Sequence, residues 1–77
     1  MLEERLKKVF SSALGLAAEI DVTTLAYAQT PAWDSVAHMQ LVSALEGEFD
    51  VMLDTEDVIG LSSFREAERI LRKYGVS

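Results

Sequence analysis

The residues with most chemical potential lie in one short run, Trp33-Asp34-Ser35-Val36-Ala37-His38. It holds a serine hydroxyl, a carboxylate immediately before it and an imidazole one helical turn beyond. Such a set could in principle make a hydrolytic nucleophile, base and orienter. The surrounding sequence does not support that chemistry: no strand-turn-helix elbow presents Ser35, no oxyanion hole is legible, and the chain leaves little room for a substrate pocket. Nor is there a thiol nucleophile. The chain has no cysteine, so any reactive sulfur must come from a cofactor. A calcium loop across Asp50 to Asp57 fails on ligand spacing and lacks the central glycine. Neither enzymatic activity nor a resident metal is therefore expected.

The elements that must position this serine follow from apolar spacing. Leu2, Leu6, Val9, Phe10 and Ala13 recur at helical intervals, which predicts a first helix over Leu2 to Leu14. Glu3–Lys7 and Glu4–Lys8 are favourable i,i+4 pairs, and Gly15 is a natural stop. The periodicity then dissolves for about 20 residues, a long connection for so small a domain. Ile20, Val22, Leu25, Tyr27 and Trp33 are the candidate pins. A second helix is expected from Ser35 to Phe49, with Asp34 as N-cap. A short third segment starts at Asp54 or Thr55 and stops by Gly60. The fourth opens on Ser63-Phe64-Arg65-Glu66, a capping-box pattern, with Phe64, Ala67, Ile70, Leu71 and Tyr74 as its apolar stripe. Arg72 and Lys73 suit its negative end and Gly75 can close it. The expected fold is all-α: one domain over residues 1–77, a small four-helix bundle with a long first loop and a short third helix.

Charge narrows the partners. The net charge is −6, and every Lys and Arg lies within Arg5 to Lys8 or Arg65 to Lys73. Between these clusters stand nine acids: Glu19, Asp21, Asp34, Glu46, Glu48, Asp50, Asp54, Glu56 and Asp57. A middle so charged repels nucleic acid and anionic lipid and favours basic partner surfaces. It should also repel itself. About half the residues are hydrophobic, enough to fold, yet no apolar run approaches the roughly 18 residues of a membrane span, and the first residues lack a signal-peptide pattern. A monomeric, cytoplasmic protein is expected.

The second helix has two apolar directions. At about 100° per residue, Leu41, Leu45 and Phe49 point one way with Val42 beside them, as a core stripe should. Val36 and Met39, with Gln40, Ser43 and Gly47, fall on roughly the opposite side, where water is expected. Beside Asp34, Glu46 and Glu48 they form a small apolar patch in an acidic field, suited to transient docking. Gly47 costs about 1 kcal/mol relative to Ala within a helix, and close approach by a partner is one rationale for it. His38 reads as a partly buried residue supporting the second helix and the long connection, and Trp33 as an anchor of that connection.

Taken together, these residues resemble the acyl carrier protein family. The likeness covers most of the chain: the first helix, the long connection, Asp34-Ser35-Val36 for the family's Asp-Ser-Leu, then Leu41-Val42-Ser43-Ala44-Leu45-Glu46-Gly47-Glu48-Phe49-Asp50, a short acidic third segment and an amphipathic fourth helix. An Asp-Ser-hydrophobic tripeptide alone means little; its place six residues before a Leu-x-x-x-Leu-Glu-x-x-Phe helix is specific. The run Trp33 to His38, with Met52 to Ile59, looks more like stand-alone specialised carriers than the general carrier of fatty-acid synthesis. The resemblance implies that a phosphopantetheinyl transferase, using Mg²⁺ only during loading, attaches 4′-phosphopantetheine from coenzyme A to Ser35. It implies that the arm's thiol carries an acyl thioester, and that Asp34 helps bind that Mg²⁺ besides capping. Val36, Met39, Gln40 and Ser43 would meet acyl-loading and acyl-transferring enzymes with basic or apolar docking surfaces, with Glu46 and Glu48 at the rim. The pathway would be a specialised one in lipid, polysaccharide-modification or secondary-metabolite chemistry. This chain departs from the family in having Ala37, His38 and Gln40 where relatives carry more acids, so partner choice should lean on Val36 and Met39. An aminoacyl or peptidyl carrier of the same fold, or a non-carrier acidic helical interaction module, is the alternative.

Overall fold

The apolar spacing of the first helix is realised in a computed structural model that describes residues 2–17 and 19–76. Met1, Ala18 and Ser77, part of the domain expected from the sequence, lie outside the described residues. Helix α1 spans Leu2–Leu14 and buries Leu2, Leu6, Phe10 and Leu14. Gly15 ends it at φ 66°, the left-handed conformation that glycine adopts without a Cβ clash. Helix α2 spans Ser35–Phe49 and buries Leu41, Val42, Leu45 and Phe49. Burying each of the larger side chains contributes about 1.5–3 kcal/mol relative to leaving it in water. Helix α3 is short, Thr55–Gly60, and α4 runs over Phe64–Lys73. All four helices lie where the sequence places them, and among the described residues there is no strand.

The bundle is held by α1 against α2, with α4 closing one side. Its radius of gyration is 11.1 Å, against about 11.5 Å for a compact chain of this length. At the centre Phe10 meets Trp33 edge-on at 5.4 Å between ring centroids and Phe64 at 5.2 Å. All three are fully buried.

The long connection is pinned in ways its sequence does not advertise. A single 3₁₀ turn, Val22–Thr24, forms because the Asp21 carboxylate accepts the Thr23 N–H at 3.1 Å and the Thr23 hydroxyl at 2.6 Å. These bonds hold the Asp21 carboxyl below the usual carboxylate range. Further along, an isolated antiparallel bridge joins Ala26 to Ser63, with Tyr27 N–H donating to Ser62 O at 2.9 Å. Of the expected pins, Val22 and Trp33 are buried and Leu25 packs partly against the core. Tyr27, though exposed, does pin the connection, through that backbone bond and by packing its ring on Trp33 and His38. Ile20 is corrected: it is exposed.

Helix α3 is fixed mainly by polar contacts. The residue it buries is an acid, Asp57. Its carboxylate accepts from Lys73 Nζ at 2.7 Å and from the Tyr74 hydroxyl at 2.5 Å. The Lys73 ammonium, and after it the Tyr74 hydroxyl, hold the Asp57 carboxyl below its usual range despite burial. The same contact raises the Lys73 ammonium and the Tyr74 phenol above theirs. A depressed carboxyl adds stability that is present above its unfolded value, about pH 4, and lost as pH falls through the lower folded value. The raised Lys73 and Tyr74 add stability present below about pH 10 and lost as pH rises through their folded values. Asp57→Asn is therefore expected to lower the melting temperature at neutral pH, with the gap to wild type closing in acid below about pH 4 and again in strong alkali. Thermal melts at three pH values check this; an equal gap at pH 3 and pH 7 would refute the clamp.

Other ion pairs revise the expected self-repulsion. Arg5 reaches Glu48 at 3.1 Å and lies over the Phe49 ring at 4.7 Å. With Lys73 on Asp57, cations from both ends of the chain enter the acidic middle. Glu4 pairs with Lys7 at 3.8 Å rather than with Lys8. Glu66 is the other correction. Ser63 caps its N–H at 3.1 Å, but its carboxylate is held by Arg69 at 2.7 Å, so the capping box is half formed. On α4, burial pushes the Glu68 carboxyl up, yet the bonds from Arg65 and Arg72 win and hold it low.

Candidate attachment site on helix α2

Ser35 stands at the first position of α2, exposed to solvent. The preceding residue makes the cap. Asp34 is in extended conformation, and its Oδ1 accepts the Ala37 N–H at 2.9 Å. The hydroxyl of Ser35 is thus placed by a neighbour rather than used to hold the helix. The helix that follows is 15 residues long, and its positive N-terminal end favours an anionic group at that hydroxyl.

Behind the site, two aromatic residues fix the chain's entry into α2. The Trp33 indole Nε1–H donates to His38 Nδ1 at 3.0 Å. That bond makes Nδ1 an acceptor, so the proton of the neutral ring sits on Nε2, which lies 2.8 Å from Val58 O and donates to it. His38 therefore ties together the end of the long connection, the first turn of α2 and α3. Both ring nitrogens are engaged, consistent with a supporting residue. Tyr27 packs on the same imidazole at 5.0 Å between centroids.

The outer face of α2 carries the patch read from the sequence. Val36 is 68% exposed and Met39 55%. With Ser35, Gln40 and Ser43 they line one shallow groove. The two acids expected at its rim are both engaged within the fold. Glu46 Oε2 accepts the Leu53 N–H at 2.9 Å, so this carboxylate pins the α2–α3 connection. Glu48, bonded to Arg5, lines a separate groove between α1 and α2 with Lys8, Val9, Ser12, Ala13 and Ala44. Helical rotation gave the direction of each acid but not the group that arrives from another segment.

Sequence reading missed Ile59, 77% exposed on α3, and Met52, 85% exposed just before it. With no long periodicity in that stretch, neither could be assigned a face. Gly47 is also clarified. An added Cβ would meet nothing within 4 Å and its φ is not positive, so the fold does not require glycine there. Gly47→Ala is expected to stabilise the protein by about 1 kcal/mol in urea unfolding; a loss would point to a constraint the backbone does not show.

No family model and no solved structure matches the chain. Among the described residues no helix is long and apolar enough to cross a membrane, and no group of three or more His, Cys, Asp or Glu is arranged to hold a metal ion.

Proposed function

We propose that the protein is a carrier whose Ser35 accepts 4′-phosphopantetheine and whose arm presents an acyl thioester to partner enzymes of a specialised pathway. The observation that carries this reading is an exposed serine at the start of a long helix, freed from capping by Asp34 and followed by an exposed apolar face. Attachment would form a bond between Ser35 Oγ and the phosphorus of the pantetheine-bearing phosphate of coenzyme A. The pyrophosphate bond would break, adenosine 3′,5′-bisphosphate would leave, and the hydroxyl proton would pass to a base of the phosphopantetheinyl transferase. Mg²⁺ belongs to that loading step. Asp34 adjoins the serine and is suited to share the ion, although one carboxylate oxygen already serves the Ala37 N–H.

The arm would supply the thiol that the chain lacks, and with it a thioester activated for acyl transfer. The protein's own share is presentation. A flexible tether raises the effective concentration of cargo at each docked enzyme, while Val36, Met39, Gln40 and Ser43 provide an uncharged surface beside it. Partners with apolar docking surfaces fit this face best, and a basic rim fits Asp34 at its head. Glu46 and Glu48 contribute less than their sequence positions suggest, because both are engaged within the fold. Catalysis is left to the partners.

The test is incubation with coenzyme A, Mg²⁺ and a broad-specificity phosphopantetheinyl transferase, read by intact mass. One added arm supports the reading. An unmodified protein across several transferases would overturn it in favour of a non-carrier interaction module.

A further inference from the structure

We infer that this bundle does not take a long alkyl chain into its interior and shelters at Ser35 only a short or polar group, an acyl chain of about six carbons or fewer. The inference rests on the carrier reading above and deepens it. It starts from what occupies the space beside the attachment site. The Trp33 indole stacks along His38 at 6.1 Å between centroids and is itself fully buried. Phe10 packs edge-on against it, and Phe64 against Phe10. The bulkiest side chain of the protein thus fills the room that a chain entering near the first turn of α2 would need.

Two concave surfaces lie near that turn. The outer groove of Val36 and Met39 is shallow and open. The niche formed by Tyr27, His38, Val58, Ile59 and Leu61 offers about 260 Å³. A sealed cavity of about 150 Å³ holds a benzene-sized group. The open niche therefore shelters a short group and not a hexadecanoyl tail.

Enlarging it would require α3 to swing away from α2, and polar ties oppose that movement. His38 Nε2–H is bonded to Val58 O, Glu46 holds Leu53 N–H, and the Asp57 carboxylate is clamped by Lys73 and Tyr74. Opening would break the His38 tie, free the ring that accepts the Trp33 indole N–H, and strain the clamp on a buried carboxylate. A buried polar group that loses its partner is costly. Cargo longer than the niche is therefore left in water until a partner enzyme covers it.

The experiment loads the intact protein from acetyl-, butyryl-, octanoyl- and hexadecanoyl-coenzyme A. It then measures partition into phosphatidylcholine vesicles, the melting temperature and the emission of Trp33, the chain's single tryptophan. Acetyl and butyryl forms are expected to partition no more than the protein with the bare arm. From octanoyl to hexadecanoyl, partition should rise about fourfold per methylene, the signature of an exposed chain. Melting temperature and Trp33 emission should stay constant along the series. Weak, length-independent partition with a melting temperature that climbs with chain length would show that the bundle swallows the chain, and would overturn the inference. If the transferases leave Ser35 unmodified, the carrier reading fails separately. The same alkyl series, attached to Ser35→Cys through a flexible maleimide linker in this otherwise cysteine-free chain, then decides between an exposed and a swallowed chain by the same measurements.

Discussion

Ser35→Ala is expected to abolish attachment of the arm completely while leaving stability within about 0.5 kcal/mol of wild type. The two halves of this result rest on different observations. Loss of attachment follows from chemistry: alanine offers no oxygen to form the phosphodiester, and no nearby group can stand in at the same position. Retention of stability follows from the division of labour at the helix start. Asp34 supplies the capping acceptor for Ala37, and the Ser35 side chain is exposed. Alanine, moreover, is the best intrinsic helix former. Intact mass after incubation with coenzyme A and a transferase reads the first half, and urea unfolding of the unmodified proteins reads the second. An arm still added to the variant would move the attachment site elsewhere. A loss of several kcal/mol would mean that Ser35 is part of the helix cap and is not held free for modification.

The elements that frame this serine were legible because each carries a local signal. Asp34 and Ser63 cap as their residue types suggest, and the core stripe of α2 follows from rotation about one axis. The exposure of Val36 and Met39 follows from the same rotation. What the sequence hid depends on pairing between distant residues. Arg5 and Glu48 are 43 positions apart and Lys73 and Asp57 are 16 apart, and no periodicity links them. The bridge between Ala26 and Ser63 is hidden for the same reason. Ile20 is exposed rather than a pin, because an irregular connection gives no rule for which apolar side chains turn inward. The candidate site itself was legible as chemistry only in part. An exposed hydroxyl beside a cap can be derived from residues, whereas the identity of what is attached came from a resemblance.

Trp33→Ala should have the largest effect on the fold, a loss of about 3–5 kcal/mol in urea unfolding. For a chain of this length, total stability is only about 4–12 kcal/mol, so the variant should stand close to unfolding. Two terms combine. The first is the cavity left among Phe10, Tyr27 and His38, whose rings now pack around the indole. The second is polar: His38 Nδ1 loses the donor that occupies it. Trp33→Phe separates them, since it restores much of the ring volume yet still leaves that nitrogen without the indole N–H. Its loss should be smaller than that of alanine and larger than that of a volume-conserving core exchange, which is usually under about 1.5 kcal/mol. Trp33 also joins the long connection to α2 immediately before Asp34 and Ser35. Loading of the alanine variant should therefore slow as its α2 start frays, even though the hydroxyl is intact, and should recover when the fold is stabilised by Gly47→Ala. Ser35→Ala loses loading without losing the fold; Trp33→Ala should lose loading because it loses the fold. A stable Trp33→Ala protein that still loads slowly would break that contrast and place the indole in the transferase contact instead.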